Sequence, residues 1–169
     1  PTTWTHLISP TYHIPHGASA RIAFDHFICT ESGWDGGALY TSVDNGTSWQ
    51  HFGANIPDFY DQQHYNNYQS PFYGQWAWDG STKKGGCQTN KTFEHMEADI
   101  SSFGGQDVML RFSFFSDTFN VFAAEIFAKG FGILRESFPN SGRDDKGNEL
   151  AQLLLRCFSA YQQPKLQSP

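Results

Sequence analysis

Charge is scarce in this sequence. Asp, Glu, Lys and Arg make up 17% of its 169 residues, against about 25% in ordinary soluble domains. Basic residues are the scarcer sign, 11 Lys and Arg against 17 Asp and Glu, for a net charge of −6. Nucleic-acid binding needs Lys and Arg clustered against phosphates, and Lys83-Lys84 is too short to make such a cluster. No apolar run reaches the roughly 20 residues of a membrane-spanning helix. Reaction motifs are missing too. There is no His-Glu-x-x-His, no Gly-x-Ser-x-Gly and no phosphate loop, so the expectation is a chain without catalytic residues. Cysteine is sparse and odd in number: Cys29, Cys87 and Cys157. A Cys29–Cys87 disulfide is expected, with Cys157 free or bonded to another chain; three buried thiols are the alternative. The chain opens on Pro1 with neither initiator Met nor signal peptide, and reads as an excised or processed piece.

Aromatic residues are abundant. They also account for 17% of the chain, with 16 Phe, 7 Tyr and 5 Trp, among many Gly, Asn, Ser and Thr. Many turns and aromatics with few Lys and Glu describe an all-β protein. The length suits one domain plus a tail, with a core of its own. Strands are predicted over 3–8, 20–29, 38–43, 48–52, 74–78, 93–100 and 107–115. In the second of these Ile22, Phe24, His26 and Ile28 share a face. Aromatics on both faces predict an interior strand. Trp76 and Trp78 are expected on one face of theirs. Residues 55–73 form a long polar-aromatic loop, of the length that is often functional. Leu150, Leu153, Leu154, Cys157 and Tyr161 recur at helical spacing, which predicts a short helix over 149–161.

The strongest local signal is Ser42-Val43-Asp44-Asn45-Gly46-Thr47-Ser48-Trp49. It fits the Asp-box pattern, Ser/Thr-x-Asp-x-Gly-x-Thr/Ser-Trp. Asn-Gly between two strand-like runs predicts a hairpin. Asp44 is expected to accept backbone N–H groups inside the turn, and Gly46 to take a backbone angle that side chains disfavour. Trp49 is expected to pack on the hairpin. Ser42, Asp44, Gly46 and Trp49 are therefore structural-turn residues. Sialidase propellers repeat this box blade after blade and bind their substrate through several arginines. Here the box occurs once, and the length excludes a propeller of four or more blades. Asn45-Gly46-Thr47 and Asn90-Lys91-Thr92 are N-glycosylation sequons, in keeping with a secreted or cell-surface protein.

A wider order runs through the chain. Glu31-Ser32-Gly33-Trp34-Asp35-Gly36-Gly37 precedes the Asp box. After the box come Trp78-Asp79-Gly80-Ser81, the stretch from Ala98-Asp99-Ile100-Ser101 to Leu110-Arg111-Phe112, and Ser116-Asp117. From about Phe24 to Asp117 this resembles the MAM-like jelly-roll domains found beside secreted metallopeptidases of the immune-inhibitor-A type, in reelin-like modules and in bacterial surface proteins. The resemblance implies a jelly-roll β-sandwich, expected over 1–136; it leaves 137–169 unexplained, and the helical spacing there makes this C-terminal extension partly helical. It implies a non-catalytic extracellular adhesion module of a larger protein, with a protein or glycan as partner. The alternatives are an accessory domain of a secreted metallopeptidase, or a carbohydrate-binding module or glycan-active enzyme on the same scaffold. Members usually end on Gly-Trp/Phe-x-Ile-Asp-Asp. This chain has Gly130-Phe131-Gly132-Ile133-Leu134-Arg135, so Leu134 and Arg135 replace the Asp pair.

Two ligand sets follow. Glu31 and Asp35 in a tight Gly-rich loop are candidate Ca²⁺ ligands, since Ca²⁺ favours carboxylates and carbonyls; in domains of this type the late Asp117 is expected to join them. Trp34, Trp76, Trp78, Tyr60, Tyr65 and Tyr68 offer flat rings with polar tips and are the candidate ligand-binding residues.

Overall fold

The computed structural model describes residues 3–63, 70–80, 93–116, 125–126, 132–136 and 158–159. Twelve strands occur among them. In chain order they are β1 Thr3–Ile8, β2 Tyr12–His13, β3 Ser19–His26, β4 Gly36–Ser42, β5 Gln50–His51, β6 Gln62–Gln63, β7 Trp76–Ala77, β8 Glu94–Asp99, β9 Asp107–Ser116, β10 Glu125–Ile126, β11 Gly132–Glu136 and β12 Phe158–Ser159. A short 3-10 turn, Ser101–Phe103, is the one helical element among the described residues. Every strand pair is antiparallel.

The larger sheet has the order β1-β9-β4-β5, with β2 also on β9. Its first edge breaks between β1 and β2, at Pro10, where no N–H is available for the ladder. Ser9 bridges the break: its N–H donates to the Leu110 carbonyl at 2.9 Å, and its Oγ accepts the Leu110 N–H at 2.9 Å. The smaller sheet has the order β11-β3-β8. β6 pairs with β7, and β10 with β12.

Alternation decides what lies between the two larger sheets. Ala20, Ile22, Phe24 and His26 of β3, Met96 and Ala98 of β8, and Val108, Leu110 and Phe112 of β9 are all buried. Phe24 meets Phe112 across the gap, ring centroids 5.0 Å apart and nearly perpendicular. The two sheets therefore pack face to face in a sandwich-like arrangement, and each fully buried Phe or Leu contributes about 1.5–3 kcal/mol.

Several sequence-based expectations change in detail. β3 stops at His26 instead of Cys29, because the chain then turns so that the Thr30 N–H reaches the Gly80 carbonyl at 2.6 Å. β3 is the central strand of its sheet, but its second face is only partly covered: Ala23 is buried, Asp25 half-buried and Arg21 exposed. The strand expected over 48–52 shrinks to Gln50–His51, and the one over 74–78 to Trp76–Ala77. The loop over 55–73 is anchored: Phe59, Tyr60 and Phe72 belong to the core. Within the helix expected over 149–161, Phe158–Ser159 pair with Glu125–Ile126 instead, and backbone held in a ladder cannot make helical hydrogen bonds. The rest of that segment lies outside the described residues.

Candidate functional site

The hairpin between β4 and β5 is built from its own side chains. Asp44 Oδ1 accepts the Ser42 hydroxyl at 2.7 Å and the Ser48 N–H at 2.9 Å. Its Oδ2 accepts the Ser48 hydroxyl. The Ser42 Oγ in turn accepts the Gly46 N–H at 2.9 Å. These bonds favour the ionised carboxylate, the Ser48 hydroxyl most, and lower the Asp44 pKa to about 2. Asn45 and Gly46 have φ of 57° and 82°, the left-handed region that Asn and Gly tolerate best. Ser42, Asp44 and Gly46 thus act in the turn as expected. Trp49 reaches further than expected: its ring lies over the Arg111 guanidinium of β9, 4.6 Å from centroid to Cζ.

The candidate aromatic residues divide. Trp78 is 2% exposed and Tyr60 6%, so neither presents a face to a ligand. Trp78 bridges to Gly37, and its indole N–H donates to the Phe59 carbonyl. Tyr60 Oη donates to the Phe52 carbonyl at 2.6 Å and accepts the Leu39 N–H at 3.0 Å. Both rings are core, because their polar tips find backbone partners that only the folded chain supplies. Trp34 and Trp76 are each 37% exposed. Tyr65 and Tyr68 lie outside the described residues, as do Asp117, Asn90 and Cys87.

Trp76 borders a cavity of about 190 Å³ with the run from Gly53 to Asp58 and the edge of Tyr60. Its wall is two successive turns, with the Ile56 N–H on the Gly53 carbonyl at 3.0 Å and the Phe59 N–H on the Ile56 carbonyl at 3.3 Å. Gly53 has φ of 87°, and a Cβ there would run into the Phe59 ring, so no larger residue fits. His51 stacks on Tyr60 with centroids 5.1 Å apart. Burial holds its pKa below the usual histidine value, against a hydrogen bond donated to the Trp76 backbone that raises it. A neutral, stacked imidazole thus underlies one side. Trp76, Asp58 and Asn55 are the aromatic and polar residues of its lining besides Tyr60.

The loop after β3 is closed in a different way. Glu31 offers its carbonyl to the N–H groups of Trp34 and Asp35, at 3.1 and 3.0 Å. Asp35 is buried, and its carbonyl accepts the Thr30 hydroxyl at 3.1 Å. Asp79 is buried too; its Oδ2 accepts the Gly33 N–H at 2.5 Å and the Gln62 amide at 2.6 Å. Sequence reasoning missed this clasp. Its signal was present: Trp34-Asp35-Gly36 and Trp78-Asp79-Gly80 repeat one tripeptide, and the two copies meet. For calcium, the described residues supply Glu31 and Asp35 of the three expected carboxylates. No group of three or more His, Cys, Asp or Glu that could hold an ion occurs among the described residues.

Cys29 is buried and disulfide-bonded; Cys87, its expected partner, lies beyond the described residues. Asn45 is exposed at the hairpin tip. No helix among the described residues is long and apolar enough to cross a membrane. No protein-family model matches the chain, and no curated protein matches it.

Proposed function

We propose that this chain is a non-catalytic binding module of a secreted or surface protein, folded as a MAM-like jelly-roll β-sandwich. The observation that carries this reading is the cavity at Trp76. The partly exposed Trp76, Asp58 and Asn55 line it together, on a wall held by Gly53 and the stacked His51–Tyr60 pair. A flat apolar surface beside fixed polar groups suits a sugar ring, or a planar side chain of a protein ligand. The Cys29 disulfide supports an oxidising, extracellular compartment, and the exposed Asn45 sequon agrees with it.

The test is glycan-array binding by the wild-type chain and by Trp76→Ala. Binding that is lost in the variant, at an unchanged melting temperature, supports the reading. Wild-type binding that survives Trp76→Ala overturns the assignment to this cavity.

Calcium enters the proposal as a structural ion for the loop over 30–36, held by Glu31, Asp35 and Asp117. Thermal unfolding in calcium and in excess chelator tests it. A ligand at 100 times its Kd adds about 2.7 kcal/mol, which raises the midpoint by several degrees, and Glu31→Gln should remove the rise. An identical midpoint with and without calcium ends the calcium part alone.

A further inference from the structure

Among the described residues, the outer face of the larger sheet carries a cation without a counter-ion. Arg111 of β9 lies between Ile8 of β1 and Tyr40 of β4. Its Cζ sits 4.8 Å from the Tyr40 ring centroid and 4.6 Å from that of Trp49. Two rings against one planar cation hold the guanidinium in place, and Arg111 stays partly exposed. Nε is buried without a partner. Among the described residues Arg111 makes no hydrogen bond and no ion pair.

A counter-ion was not in short supply. Acidic residues outnumber basic ones, 17 to 11, and Arg21 on the other sheet has Glu97 at 3.6 Å. Beside Arg111 on the same face, His6 Nδ1 meets Ser113 Oγ at 3.0 Å. Burial and the nearby guanidinium hold the His6 pKa down, so at neutral pH it presents a hydrogen-bonding edge and no second charge. Trp4, 50% exposed, stands edge-on to His6 with centroids 5.1 Å apart. Ile8 is the register partner of Arg111, and Trp4 lies four residues before it, about 13 Å at the usual strand rise. An extended ligand reaches both; a single sugar does not.

We propose that this face binds a carboxylated oligosaccharide, with Arg111 as the two-pronged partner of the carboxylate and Trp4 as the platform for a neighbouring sugar ring. A carboxylate accepts two parallel N–H bonds from a guanidinium edge. The occupant is anionic because the site is an unpaired cation, and it is a saccharide because the exposed Trp4 indole on the same strip offers a flat ring beside it. This surface is distinct from the cavity at Trp76, and the proposal does not rest on that site.

The experiment is calorimetric titration of the full chain with a glucuronic-acid-containing oligosaccharide, with its methyl ester, and with sodium acetate. The acid form is expected to bind, with the ester weaker by at least about tenfold. Arg111→Lys keeps the charge and loses the fork, and is expected to weaken the acid form by at least as much. Trp4→Ala, an exposed change that leaves the fold intact, should weaken the oligosaccharide and leave acetate unaffected. Trp76→Ala should alter none of these. Equal binding of acid and ester overturns the proposal, as does Arg111→Lys binding like wild type, or no wild-type binding at millimolar ligand. Acetate binding as tightly as the oligosaccharide overturns the saccharide. If Arg111→Lys fails to fold, the ester and Trp4→Ala comparisons decide the matter alone.

Discussion

The outer faces of the two sheets treat charge in opposite ways. On the smaller sheet Arg21 and His95 each have a carboxylate. Arg21 of β3 faces Glu97 of β8 at 3.6 Å. His95 Nδ1 meets Asp25 Oδ1 at 2.7 Å, and its Nε2 meets Glu97 Oε1 at 3.3 Å. On the larger sheet Arg111 has two aromatic faces and no carboxylate among the described residues. Paired side chains in water are flexible, screened and worth little. A guanidinium between two rings is held still, with its donors unspent. One face is therefore a solvated coat; the other is shaped for a partner.

The largest expected effect joins the two sheets. Phe24 of β3 touches Phe59, Trp78 and Phe112, at centroid distances of 6.3, 5.5 and 5.0 Å. Phe24→Ala should cost about 3–5 kcal/mol in urea unfolding. A loss under about 1 kcal/mol would show that the sheets do not share this core.

Next is a pH effect confined to the smaller sheet. His26 is 2% exposed, and neither ring nitrogen has a partner. It packs against Trp78 at 4.9 Å. Burial lowers its pKa to about 4, with Asp25 opposing. The unfolded chain binds this proton at its ordinary value of 6.5, so stability is full above that value. It falls as the pH drops from 6.5 towards 4, by about 3 kcal/mol in all. Melting temperatures across that range should fall in the wild type and flatten in His26→Leu. Equal slopes in the two proteins would assign the acid sensitivity to other groups.

The larger sheet's clamp should respond more gently. Trp49→Leu removes one of the two rings from Arg111 and should cost about 1–2 kcal/mol. The loss should persist in high salt, because the contact is partly desolvated.

The smallest effect belongs to the coat. Glu97→Gln should change stability by under about 0.5 kcal/mol, and salt should erase the change. Its pH sign opposes that of His26. Hydrogen bonds to Asp25, first, and to Glu97 raise the His95 pKa. That small contribution is present below 6.5 and fades as the pH rises through the raised value.

The Asp box could be read directly from the chain because its bonds close within a few residues, from Ser42 to Ser48. The role of Trp49 could not, since its partner Arg111 arrives from a distant strand. Trp76 and Trp78 show how a sound local rule fails. Period-two alternation puts both on one side only while the strand continues. β7 ends at Ala77, the chain turns to bridge Gly37, and Trp78 goes inward while Trp76 stays out. Tyr60 read as a loop aromatic for the same reason: nothing near it in sequence reveals the Leu39 and Phe52 groups that satisfy its hydroxyl. His26 is the converse case. Alternation placed it inside with Ile22 and Phe24, and it is inside, although it is a histidine.

The sequence by itself determined the β character, the hairpin and the inward face of β3, because alternation and turn chemistry act between near neighbours. Tertiary structure decided which aromatic rings are core and which meet water. It also decided that Asp79 closes the loop after β3, and that Arg111 has no carboxylate partner among the described residues. Burial and charge pairing depend on what the other strands bring alongside, and no window of sequence contains that information.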